Sequence, residues 1–108
     1  MNKLIKLFIT CLSAVTLTLA SISSSFAKVE NGYIVLGAAV SLTGKYSSNG
    51  VHTQNGYNLA VKRINDKGGV TVDGKKYKFE IIYYDDESNS GRAAQLAERL
   101  IKQDGVKY

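Results

Sequence analysis

Hydrophobic positions along this chain change their period from block to block, and each period predicts an element. Tyr33 to Val40, "YIVLGAAV", is a continuous apolar run of strand length, the pattern of a strand covered on both faces. From Val51 to Asp66, positions Thr53, Gly56, Tyr57, Ala60, Val61 and Ile64 recur at steps of three and four. That spacing predicts one face of an amphipathic helix. Lys67, followed by Gly68 and Gly69, predicts its end. Asp73-Gly74 lies between β-prone flanks and predicts a hairpin, a short edge arm leading into a core strand over Tyr77 to Tyr84. A second helix, roughly Arg92 to Gln103, places Ala93, Leu96, Ala97, Leu100 and Ile101 on one stripe. Ser88, Asn89 or Ser90 is its expected N-cap. Asp104-Gly105 ends it, and Val106 to Tyr108 reads as the opening of a third strand.

Strands alternating with helices predict an α/β fold, a parallel sheet with flanking helices and right-handed crossovers. In such sheets ligands bind outside the carboxyl ends of the strands. Two segments fall at such ends, Ser41 to Gly50 and Asp85 to Gly91. Two complete strand–helix units bury only a marginal core. Residues 28–108 are therefore expected to be the start of a longer protein and to fold poorly alone.

The apolar block that precedes the first strand has a different character. Lys3 and Lys6 lead into an almost unbroken apolar and hydroxylic stretch from Leu7 to Ala20, and "SISSSFA" ends in Ser25-Phe26-Ala27. A basic start, a short apolar core and small residues before the cut predict a signal peptide over residues 1–27, cleaved after Ala27. The apolar core is shorter than the roughly 20 residues of a membrane-spanning helix, so export rather than anchoring is expected. Cys11, the single cysteine, lies inside that core, too early for lipid attachment. The mature chain then has no thiol chemistry. Its net charge drops from +5 to about +3, because Lys3 and Lys6 leave with the leader. The charges are interspersed, without the basic stripe that nucleic-acid binding requires.

Several kinds of chemistry can be weighed at the strand ends. A phosphate loop needs G-x-x-x-x-G-K-[ST]. Gly44-Lys45 supplies one pair, but Ala39 stands at the first glycine position and Tyr46 at the hydroxyl position. No dinucleotide fingerprint is present either. His52, the single histidine, has no nucleophile or carboxylate at a useful spacing and reads as a solvent-facing helix residue. Asp85-Asp86-Glu87 lacks the spaced ligands of a calcium loop; one acid is expected to cap or favour the next helix while the others face water. Tyr77, Tyr83 and Tyr84 read as strand packing.

What remains is non-covalent binding, or simply a turn. Ser41, Thr43, Ser47, Ser48 and Asn49 are short neutral donors and acceptors, and Gly44 and Gly50 permit close approach of a ligand to the backbone. Tyr46 offers an aromatic wall with a polar tip. Such groups at a helix N-terminus suit a carboxylate or a zwitterion.

Spaced motifs then give a family resemblance. Ser41-Leu42-Thr43-Gly44, Gly50, Gly56, Leu59-Ala60-Val61, Ile64-Asn65, Gly68-Gly69-Val70 and Asp85-Asp86 occur in order across nearly the whole mature segment. In this the chain resembles the branched-chain amino acid type of ABC-transporter solute-binding protein. The resemblance implies the beginning of the first lobe of a two-lobed type I periplasmic binding protein, with no catalysis and no cofactor. It implies a small solute, an amino acid or amide, bound between lobes and delivered to a membrane permease by a monomer that is not membrane-embedded. Ser41, Thr43, Tyr46, Ser47 and Asn49 are the expected ligand contacts. The chain differs from leucine-binding members in carrying Asn49, not an aromatic, before Gly50. The same fold also serves as the ligand-binding ectodomain of sensory receptors. An exported α/β hydrolase would need a nucleophile, histidine and acid that the segment does not supply.

Overall fold

The computed structural model describes residues 26–108. The expected signal peptide lies outside the described residues, apart from Phe26 and Ala27. The elements run β1 (Val29–Glu30), β2 (Tyr33–Val40), α1 (Ser47–Asp66), β3 (Val70–Val72), β4 (Lys75–Asp85) and α2 (Ser90–Lys102). They form a four-stranded sheet in the order β1-β2-β4-β3.

The central pair, β2 and β4, is parallel, with Tyr33 beside Lys78 at one end and Val40 beside Asp85 at the other. The flanking pairs, β1 with β2 and β3 with β4, are antiparallel, so the sheet is mixed around a parallel core. The hairpin at Asp73-Gly74 forms as its sequence predicts, with both residues left-handed (φ 49° and 78°). β1 was not foreseen. Its turn is Asn31-Gly32, also left-handed at both positions (φ 51° and 81°), and this dipeptide is itself a strong hairpin signal.

Alternation along the strands sends side chains to two helical layers. On one face Val35, Leu100 and Val106 are fully buried, with Ile82 and Tyr84 packed on them. Each such aliphatic side chain contributes roughly 1.5–3 kcal/mol on burial. Gly37 keeps this layer thin, since a Cβ there would stand 3.0 Å from Leu100. Tyr84 is fixed by a 2.9 Å hydrogen bond to Asp104 and by the Arg99 guanidinium 4.6 Å from its ring centre. The other face carries α1, to which the Tyr83 hydroxyl donates at Asn58 (2.8 Å). Tyr83 and Tyr84 are packing residues, as their strand positions predict.

Both helices depart from the predicted boundaries. α1 starts at Ser47, four residues before Val51, and α2 at Ser90, two before Arg92. On α1, Thr53, Val61 and Ile64 turn inward as expected, but Gly56, Tyr57 and Ala60 are exposed while Gly50, Gln54 and Asn65 turn toward the sheet. On α2, Leu100 is buried and Ala97 and Ile101 are exposed. Residues 106–108 form no assigned strand, yet they run beside β2, whose Gly37 N–H donates to the Tyr108 carbonyl (2.8 Å).

Asn65 performs a task that its apolar neighbours could not. β3 pairs with β4 only as far as Tyr77, leaving the next outward-facing backbone groups bare. The Asn65 amide covers them: Nδ2 donates to the Phe79 carbonyl and Oδ1 accepts from the Phe79 N–H, both at 2.8 Å. The side chain thus continues the ladder after β3 stops and ties the end of α1 to β4. Replacing Asn65 by Ala leaves both Phe79 groups unpaired, and an expected loss of about 1–3 kcal/mol follows. Denaturant unfolding of the full-length protein checks it, and an unchanged midpoint would remove Asn65 from this role.

Candidate functional site

The register of the central strands decides what meets at their carboxyl ends. With Val40 beside Asp85, the chain leaves both strands at the same level, and the two following loops lie side by side. Asp85 binds the first loop to the second. Its Oδ1 accepts from the backbone N–H groups of Leu42 (2.9 Å), Thr43 (3.2 Å) and Glu87 (2.8 Å), and its Oδ2 accepts from the Thr43 hydroxyl (2.7 Å).

Asp86 is buried, with 9% of its surface exposed. Its Oδ1 accepts from the Ser41 hydroxyl at 2.6 Å and the Ser88 N–H at 2.8 Å, and its own N–H donates to the Val40 carbonyl at 3.0 Å. Ser88 completes the connection: its hydroxyl donates to the Thr43 carbonyl (2.7 Å) and accepts from the Tyr46 N–H (3.0 Å).

These acids therefore correct the sequence reading. Neither caps α2. Asn89 does so, its Oδ1 accepting from the Arg92 N–H at 2.9 Å. Glu87 does face solvent, where Arg92 stands 3.1 Å away. The reason is the parallel register, which brings a row of free N–H and hydroxyl donors from the first loop within reach of Asp85 and Asp86. Glu87 and Ser88 adopt left-handed backbone (φ 54° and 61°), an uncommon conformation for these residue types that the hydrogen bonds around them sustain.

The early start of α1 has the same origin. Its N-cap is Tyr46, and no side chain caps the helix, so its leading N–H groups lack the usual side-chain acceptor. The first turn instead rests directly on the first loop. A Cβ at Gly50 would lie 1.8 Å from the Ser41 carbonyl oxygen, a contact only glycine permits.

Between this turn and the strand ends is a cleft of about 240 Å³, lined by Ala39, Val40, Ser41, Tyr46, Asn49, Gly50, Thr53 and Asp86. Of the five expected ligand residues, Ser41, Tyr46 and Asn49 line it. Thr43 lies outside, its hydroxyl committed to Asp85. Ser47 lines a separate hollow of about 310 Å³ with Leu42, Ser48, Val51 and the exposed His52. Tyr46 is half exposed, with the Lys45 ammonium 4.7 Å from its ring centre. A larger hollow of about 400 Å³ beside α2 is mostly aliphatic and belongs to the packing layer of Gly37, Leu100 and Val106.

A family model described as periplasmic binding protein matches residues 33–108, the whole of the sheet-and-helix unit from β2 onward. The chain belongs to the periplasmic binding protein family.

Solved structures agree with that family. The chain is similar to LivJ, a branched-chain amino acid transporter substrate-binding protein from Streptococcus pneumoniae determined with isoleucine, at 32% identity and a TM-score of 0.60. That match covers 68% of this chain and 20% of LivJ. It is also similar to a protein from Silicibacter pomeroyi assigned as a branched-chain amino acid ABC transporter, at 31% identity and a TM-score of 0.59, covering 68% of this chain and 18% of the other. The chain thus spans about a fifth of the length of the solved structures it matches. The α/β architecture expected from the alternation of periods is the architecture of this periplasmic binding protein family.

Of the other cleft residues, Gly50 is foreseen as permitting close approach of a ligand to the backbone, whereas Ala39, Val40, Thr53 and Asp86 escape the sequence reading as site residues. Asp86 carries no signal beyond its place at a strand end, because the donor that ties it to the first loop, the Ser41 hydroxyl, lies 45 residues away.

Asp85 also sets a pH dependence. The Thr43 hydroxyl, followed by the Glu87 N–H, holds its carboxyl below the usual carboxylate range. Its ionised form therefore stabilises the joined loops fully above about pH 3.9, the ordinary aspartate value, and that contribution is lost as pH falls through the lower folded-state value. Following the Asp85 carboxyl by NMR in the full-length protein should show it titrating below the ordinary range. The amides of Leu42, Thr43 and Glu87 should lose exchange protection with it. An ordinary or raised midpoint would contradict the arrangement.

Proposed function

We propose that the cleft among Ser41, Tyr46, Asn49 and Asp86 is one wall of the binding site for a small solute, and that the protein is the substrate-binding component of an ABC importer. The carrying observation is the cleft's position at the carboxyl ends of the parallel pair, within a chain of the periplasmic binding protein family. The solute is an amino acid or an amide-like molecule. Neutral hydroxyl and amide groups, with the uncapped first turn of α1, suit a carboxylate head group. The isoleucine held by LivJ supports the same class.

In this reading residues 1–27 direct export and are removed after Ala27, and the mature protein works in the periplasm as a monomer without a cofactor. Residues 28–108 supply the start of the first lobe. Thr43 and Ser47 act indirectly, Thr43 by fixing the loop and Ser47 as the first residue of α1. A second lobe closes on the solute, a ligand-driven shift between open and closed populations, and the closed form is presented to the membrane permease.

Calorimetric titration of the full-length protein with leucine, isoleucine, small amides, urea and aromatic acids tests the solute class. Saturable heat with an amino acid or amide is expected, and silence with all of them would overturn the assignment. Tyr46→Ala, which removes the aromatic wall at the mouth of the cleft, should weaken binding by roughly tenfold. Unchanged affinity would make Tyr46 a bystander.

A further inference from the structure

The outer edge of β4, on the side away from β2, is closed only in part. Along β4 the N–H groups of Lys78 and Asp86 donate toward β2, to the carbonyls of Gly32 (3.2 Å) and Val40 (3.0 Å). The odd-numbered residues between them therefore present their backbone groups to the outer side. Lys75 and Tyr77 lie opposite Val72 and Val70 of β3. Phe79 is bonded by the Asn65 amide, twice at 2.8 Å. Beyond the strand's far end Arg92 Nε donates to the Asp85 carbonyl at 3.3 Å. Ile81 and Tyr83 have no outer partner among the described residues, since β4 is flanked only by β2 and the short β3. The bare stretch between Asn65 and Arg92 is shorter than the usual minimum of about three residues for a strand. Its surroundings, "FEIIYY" over residues 79–84, are β-branched and aromatic, with one charge and no proline. Such a segment pairs readily with copies of itself when its edge is open.

We infer that Asn65 is an edge plug: its amide, laid along Phe79, keeps β4 of one copy of this chain from adding to β4 of a second copy. The pairing it prevents is antiparallel and edge to edge about a twofold axis, with Ile81 of one copy opposite Tyr83 of the other. In that register Phe79 falls opposite Asp85 of the second copy, so the Asn65 side chain stands where the added strand would run. Without it the open edge would extend over residues 79–83, about the length of an ordinary strand. Asparagine suits the position because one side chain carries both a donor and an acceptor, as a peptide group does. This role is separate from the stability that the same two bonds supply, and it does not depend on the solute assignment.

Sedimentation of the full-length protein over a range of concentrations tests it. The wild type should remain monomeric, while the mass of Asn65→Ala should rise with concentration toward that of a dimer. Asn65→Asp loses the donor to the Phe79 carbonyl but keeps a charged group over the edge, so it should be destabilised and still monomeric. Adding Ile81→Pro to Asn65→Ala removes an outward N–H that β2 does not use, and should restore the monomer. Three results overturn the inference: a folded Asn65→Ala that stays monomeric, association that survives Ile81→Pro, or a wild type that associates as strongly as Asn65→Ala.

Amide hydrogen exchange on the full-length wild type decides the matter if Asn65→Ala does not fold. The Phe79 N–H is held by Asn65 and that of Ile82 faces β2, so both should exchange slowly. Fast exchange at Ile81 and Tyr83, between them, supports an edge that stays open only where Asn65 ends. Protection of Ile81 and Tyr83 overturns the inference, because another part of the protein would then close the edge.

Discussion

The site depends on a single constraint, the parallel register that puts Val40 level with Asp85. It makes two strand-end loops start side by side, one rich in donors and the other opening with two carboxylates. Ser41, Leu42 and Thr43 then find their acceptors across the gap rather than in water. Hydrogen bonds to a charged group are stronger than neutral ones, and here they converge on adjacent residues. Among the described residues, no such side-chain cluster joins the opposite end of the sheet, where short hairpins connect the strands.

From that connection the rest of the site follows in order. Holding Ser41 fixes where its carbonyl points, and the missing side chain at Gly50 lets the first turn of α1 rest on it. Ser88 fixes Tyr46 through its backbone N–H, so the aromatic ring begins from an anchored main chain although the ring itself is half exposed. Left-handed conformations at Glu87 and Ser88 cost on the order of 1–3 kcal/mol each, and the bonds made by Asp85, Asp86 and Ser88 offset that strain. At the far end of α1 Asn65 repeats the strategy, using one side chain to satisfy backbone that no strand reaches.

Sequence periodicity captured the elements whose causes are local. The apolar run of β2, the Asp73-Gly74 turn, the glycines after α1 and the Asn89 cap each depend on neighbours within a few residues. What it missed depends on distant partners. "SSNG" reads as loop because serine, asparagine and glycine are weak helix formers. It is helical here because Gly50 packs on Ser41, and that contact outweighs propensity. Asp85 and Asp86 read as caps or solvent-facing acids because the first-loop donors that they bind lie 42 to 45 residues away. The site was legible as a segment, and three of its five named residues line the cleft; Thr43 and Ser47 are displaced by the loop connection and the early helix start. Asn65 did leave a trace, as a polar residue next to Ile64 on the inward side of the helix.

The two aspartates together explain how loops at the strand ends are held rigid. A loop held only by water-exposed groups would have to be ordered by its ligand, at a cost in binding free energy. Asp85, with both oxygens occupied, does that ordering in advance. Asp86 spends one oxygen on the same task, joining Ser41 to the backbone of Ser88. Adjacent positions at one strand end aim the two acids in different directions, since successive side chains of an extended chain diverge. Asp86 therefore reaches Ser41 while Asp85 reaches Leu42 and Thr43, and a dipeptide that looks redundant in sequence holds successive parts of the first loop that a single aspartate could not hold together.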